Sequence, residues 1–88
     1  MLTERIRERH GFHRVGNVYR SHIEGDIPGE GLRVDVIPSS PPFALSFSVY
    51  AWIAGTLSVQ MTVYTEDGLH TLIDLIFGQF QISNLRSR

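Results

Sequence analysis

The chain has 88 residues, 42% of them hydrophobic, a formal net charge of −1 and no cysteine. That length lies below the usual size for two domains, so a single domain over residues 1–88 with one shared core is expected. The missing cysteine excludes disulfides, thiolate zinc ligands and thiol nucleophiles together, and it suits a cytoplasmic setting. The first ten residues, MLTERIRERH, are charged and lack the apolar run of a secretory signal. Domains this small bury only about 60–65% of the surface their unfolded chains expose. A partner or a second copy of the chain would therefore add useful burial, and a homo-oligomer is expected.

Residues 2–10 predict a short helix, with Thr3 as N-cap, Leu2 and Ile6 on one face, and Gly11 at its end. The pairs Glu4 with Arg7 and Arg5 with Glu8 sit three apart, as on a solvated helix face. The β-branched and aromatic residues from Val15 to Ile23 predict a first strand, although the alternation is too poor to choose its buried face. A loop follows over residues 24–31, which hold Gly25, Gly29, Gly31 and Pro28. Leu32, Val34 and Val36 then alternate with Arg33 and Asp35 as a second strand, stopped by the prolines at 38, 41 and 42.

The strongest pattern lies downstream. Positions 43, 45, 47, 49, 51 and 53 and positions 57, 59, 61 and 63 are all apolar. Because side chains alternate with period 2, two such strands oppose apolar to apolar across a three-residue turn, Ala54-Gly55-Thr56. That register pairs Ile53 with Leu57, Ala51 with Val59, Val49 with Met61 and Phe47 with Val63. Beyond Tyr64 the period changes to that of a helix, with Leu69, Leu72, Ile73, Ile76, Phe77 and Phe80 in one stripe and Asp67 as N-cap. Gly78 either ends this helix or lets it pack closely on the sheet. The expected fold is α+β: a four-stranded antiparallel meander with an N-terminal and a C-terminal helix on one face, α-β-β-β-β-α.

Val36 to Thr65 carries no formal charge and is long enough on paper to span a bilayer. Its serines, its prolines and its alternation read as strands instead, so no membrane association is expected.

If the odd residues of the 43–63 hairpin face the helices, the opposite face shows Ser46, Ser48, Tyr50 and Trp52 beside Ser58, Gln60, Thr62 and Tyr64. An uncharged surface bearing amphipathic aromatics has the composition of an interface centre. Tyr50, Trp52, Gln60 and Tyr64 are therefore the candidate protein-binding residues. A second candidate surface follows from charge: residues 1–22 carry +3 and residues 23–85 carry −6. Arg5, Arg7, Arg9 and Arg14 could contact the phosphates of a nucleic acid, although the pI near 6.4 is low for such a domain.

His10, His13 and His22 lie close in sequence, but Arg9 and Arg14 flank them, and capping or surface roles are expected rather than metal binding. The glycine loop lacks the lysine and the following helix of a phosphate cradle. A weak calcium site through Glu24, Asp26 and Glu30 would lack the spacing of an EF-hand. No nucleophile elbow and no His-Glu-x-x-His pattern is present, so neither enzymatic activity nor a cofactor is expected. The reading is a non-catalytic protein-binding domain, an adaptor, accessory or inhibitor of unidentified partner, with nucleic-acid binding through the N-terminal arginines as the alternative.

Overall fold

The computed structural model describes residues 4–25, 29–39 and 46–86, with side chains at 6–25, 29–39 and 46–81. The elements are α1 (Glu4–His10), β1 (His13–Val15), β2 (Val18–Ile23), β3 (Leu32–Pro38), β4 (Phe47–Ile53), β5 (Thr56–Val63) and α2 (Glu66–Arg86). Each strand pairs antiparallel with its sequence neighbour, in the order β1-β2-β3-β4-β5. Expected positions Leu2, Thr3, Asp26, Phe43 and Leu45 lie outside the described residues.

The fold is α+β, with five strands where four were expected. The expected first strand, 15–23, is cut by a turn at Gly16, whose φ of 62° suits glycine, so that Val15 pairs with Val18. Gly-Asn between β-forming residues is a hairpin signal, and the poor alternation over 15–23 reflects that reversal. α1 ends in a Schellman motif: Gly11 takes φ 66° and the Phe12 amide donates to the Arg7 carbonyl at 2.9 Å. That turn delivers Phe12 into the core.

Register places Tyr19, Leu32, Val34, Val36, Phe47, Val49 and Ala51 on one face of the sheet. They form one buried cluster with Ile6, Phe12 and the α2 residues Leu69, Ile73, Ile76, Phe77 and Phe80. Both helices therefore cover the same face, and burying each large apolar side chain contributes about 1.5–3 kcal/mol. Leu72, the remaining member of the expected α2 stripe, is partly buried against the cluster.

The β4–β5 hairpin keeps Ala51 opposite Val59, Val49 opposite Met61 and Phe47 opposite Val63, as the alternation requires. Its turn differs. Ala54 and Gly55 form a two-residue turn with φ values of 52° and 79°, which pairs Ile53 with Thr56 and not with Leu57. A bulge next to Trp52 restores the register, with Leu57 opposite Trp52 and Ser58 the extra residue. The uncharged segment from Val36 onward thus supplies the end of β3 and all of β4 and β5. Among the described residues, no helix is long and apolar enough to cross a membrane.

Two expectations for α2 need correction. Its N-cap is Thr65 rather than Asp67: the Thr65 hydroxyl accepts from the Gly68 amide at 3.0 Å and leaves Asp67 in the first turn. Nor does the helix end at Gly78 or pack closely there, since a Cβ at Gly78 would meet no heavy atom within 4 Å. Glycine inside a helix costs about 0.5–1 kcal/mol relative to alanine. Gly78→Ala should therefore raise the thermal midpoint by roughly 4–8 °C per kcal/mol gained. A lowered midpoint in a melting curve would mean that the glycine has a packing role.

The terminal helices are tied together by polar and aromatic contacts. His10 stacks on Phe77 with ring centroids 4.4 Å apart, and its Nε2 lies 2.8 Å from Asp74 Oδ1. Arg9 Nε and His70 Nε2 reach the same carboxylate at 3.2 and 3.3 Å. The hydrogen bond with His10, then the charges of Arg9 and His70, hold the Asp74 carboxyl below its ordinary range. A carboxylate with a depressed folded pKa stabilises the fold fully above its unfolded pKa, about 3.9. That contribution is lost as pH falls through the folded value. Asp74→Asn should flatten the acid side of a stability-against-pH curve measured by urea unfolding; an unchanged slope there would show the clamp to be electrostatically idle.

Candidate binding face

The face of the sheet opposite the helices is built from the alternate residues of β2 to β5. One row across it runs Arg20, Asp35, Tyr50, Gln60, and the next runs His22, Arg33, Trp52, Leu57. Neither helix covers these rows, because both helices spend their apolar stripes on the other face. Tyr50 and Trp52, two apart on β4, stack with centroids 6.1 Å apart and planes 26° apart. The Arg33 guanidinium lies over the Trp52 ring at 4.1 Å from its centroid.

The charge of this face is organised around Asp35. Arg20 donates from Nε to Oδ1 at 2.8 Å and from Nη2 to Oδ2 at 3.1 Å, a two-pronged pair. The hydrogen bond with Asp35, and then its charge, raise the Arg20 pKa further above its already high value. Asp35 is buried, with a side chain 8% exposed, and Arg20 is one-third exposed. Burial of the acid therefore depends on its arginine. Arg33 Nε stands 4.0 Å from Asp35 Oδ1, outside hydrogen-bond range, and this buried nitrogen has no hydrogen-bond partner among the described residues.

Of the candidate protein-binding residues, Tyr50, Trp52 and Gln60 share this face. Tyr64 does not join them. It lies past the last ladder pair, Phe47 with Val63, at the far end of β5 from the position opposite Trp52. The expected face was neutral and rich in hydroxyls, whereas the observed one also carries Arg20, His22, Arg33 and Asp35. Their signal was present in the alternation of Arg33 and Asp35 with Leu32, Val34 and Val36. What placed them beside Trp52 was the β3–β4 register, which the sequence between those strands does not dictate.

The N-terminal arginines are engaged within the fold. Arg7 lies over the Tyr19 ring at 5.6 Å, Arg9 pairs with Asp74, and Arg14 Nε donates to the Gly16 carbonyl at 2.9 Å. The Arg5 side chain is outside the described residues. The three histidines near the N-terminus do not converge: His10 meets Asp74, His13 sits on β1 opposite Arg20, and His22 is on β2 opposite Arg33. No cluster able to hold a metal ion occurs among the described residues. Ser21, buried beneath α1, donates its hydroxyl to the His10 carbonyl and so is not poised against the His10 ring. Comparison with family models, with curated proteins and with solved structures finds no match for this chain.

Proposed function

We propose that the chain is a non-catalytic protein-binding domain, acting as an adaptor, accessory or inhibitor, that receives its partner on the open face of the sheet. The observation that carries this reading is the Arg33–Trp52–Tyr50 stack on a face that no helix covers. Tyr, Trp and Arg are the residue types that dominate interface energies, because each offers a large rigid surface and a polar edge. Here the neighbouring strands hold all three in place before any partner arrives. Gln60 beside Tyr50 adds an uncharged donor and acceptor.

Self-association is the second part of the proposal. β5 is an edge of the sheet, and Thr56–Val63 contains neither a charge nor a proline to guard it. Leu57 and Met61 are exposed along it. A second copy could add its own β5 there and extend the sheet.

The test compares wild-type domain and Trp52→Ala, both immobilised, for capture of protein from nuclease-treated lysate, with circular dichroism to verify folding. Loss of an interface anchor should weaken capture by about 1–2 kcal/mol, roughly five- to thirtyfold. Equal capture by a folded Trp52→Ala variant would remove this face from the interaction.

A further inference from the structure

At the end of the open face where the β2–β3 loop approaches the β4–β5 turn, the surface sinks into a cleft of about 370 Å³. Its wall comprises His22, Glu24, Gly29, Gly31, Arg33, Trp52 and Gly55. We propose that this cleft is an oxyanion site, taking a carboxylate or phosphate group, with Arg33 as its cation. The inference rests on the proposed partner face and names the chemical group by which that face would read a ligand.

Arg33 carries the argument. The cation–π contact with Trp52, 4.1 Å from guanidinium carbon to ring centroid, holds the side chain in place without consuming an N–H donor. The nearest acid, Asp35, is hydrogen-bonded to Arg20 and stands 4.0 Å from Arg33 Nε, so it attracts Arg33 by charge without accepting a hydrogen bond from it. Arg33 thus makes no hydrogen bond among the described residues, although its side chain is only 43% exposed and its Nε is buried. Asp35 balances part of its charge, and the rest of the half-exposed guanidinium stands in the wall of the cleft, where an anion can replace water on it. Carboxylates and phosphates match the guanidinium fork, and charge-assisted bonds to it are the strong ones.

The surroundings fit that group. His22 is the β2 partner of Arg33 and adds a ring N–H donor. Gly29, Gly31 and Gly55 leave backbone uncovered in the wall, and Gly31 has a steric reason to be glycine. A Cβ there would stand 2.6 Å from the Ile23 carbonyl oxygen and 3.3 Å from His22 Nε2. The opposing charge in the wall is Glu24, whose side chain is 82% exposed and 3.7 Å from His22 Nδ1. Water screens so exposed a carboxylate, and its effect on an anion in the cleft is accordingly small.

Trp52 is the sole tryptophan of the chain, so the indole emission arises from the wall of the cleft. Inorganic phosphate, acetate and, as a neutral counterpart of acetate, acetamide would be titrated at constant ionic strength. Amide shifts of Gly31 and Gly55 would be followed by NMR as a second readout. The expected result is a saturable response to phosphate, acetate or both, and none to acetamide; the relative affinity of the two anions tells which source the site prefers. Arg33→Gln should weaken binding by about tenfold or more, the loss of one charge-assisted hydrogen bond. Glu24→Gln should tighten it by about twofold, the scale of an exposed charge pair.

A non-saturating response, an equal response to acetamide, or an Arg33→Gln variant that titrates like wild type would overturn the oxyanion site. If oxyanions fail while partner capture still depends on Trp52, the binding face stands and this inference falls. If oxyanions saturate the cleft while capture is indifferent to Trp52, the site stands and the partner face falls.

Discussion

Phe47→Ala is expected to destabilise the domain by about 3–5 kcal/mol, the range for removing an aromatic ring from a closed core. Phe47 has no exposed surface and is the largest fully buried side chain among the described residues. It sits on β4 between Pro38 of β3 and Val63 of β5, at the end of the sheet where α2 begins. A domain of this length has a total stability of about 4–13 kcal/mol at 0.05–0.15 kcal/mol per residue. The substitution therefore removes about a quarter of the stability or more, and a urea titration should show the midpoint falling with little change in slope. A loss below about 1 kcal/mol would mean that the site can collapse around the smaller residue, and that the core is centred elsewhere.

Asp35→Ala should have the next largest effect, about 2–3 kcal/mol. The carboxylate is buried and neutralises Arg20, with Arg33 close by, so its removal leaves two guanidinium groups facing each other on adjacent strands. The value lies below that for a fully buried pair because Arg20 is one-third exposed and keeps part of its hydration. Adding Arg20→Met to Asp35→Ala should restore part of the loss, because the orphaned charge is then gone as well. Equal stability of the single and double variants would show that Asp35 acts through packing rather than through its charge.

The parts of this fold that the sequence foretold are those where one side chain pattern leaves one answer. The alternation over 47–63 sets the β4–β5 ladder, since a slip of one residue would turn Val49, Ala51 and Phe47 to solvent. The stripe from Leu69 to Phe80 likewise has no outlet except the core. Errors arose where the decisive chemistry is local to one or two residues. Gly16 hides a reversal inside a run of strand formers, Thr65 competes with Asp67 for the cap, and Ala54 adopts a left-handed turn that glycine or asparagine would have announced.

The candidate site was half legible for a related reason. Tyr50, Trp52 and Gln60 lie within the one hairpin whose register the pattern fixes. Arg33 and Asp35 join them only through pairing across the 39–46 connection, whose length and prolines permit more than one register. Tyr64 was placed by extending the alternation past Val63, where the chain instead leaves the sheet to start α2. Parity along a strand is informative only as far as the strand continues.

The strand order follows the chain order throughout, and this bears on how the molecule assembles. Every ladder closes a short span of chain, so the sheet can grow by adding one hairpin arm at a time, a low-contact-order route that favours rapid folding. The exception is the clamp between the two helices, where His10 and Asp74 meet across 64 positions of sequence. Together with the contacts of His10 and Phe12 to Phe77, it spans the longest stretches of chain, so a late place in folding is expected for this joint. Interactions formed after the transition state govern how fast a protein comes apart rather than how fast it forms. Loosening the joint between the first and last helices, as by His10→Ala, is thus expected to shorten the lifetime of the folded molecule more than it slows folding, which unfolding and refolding rates would check.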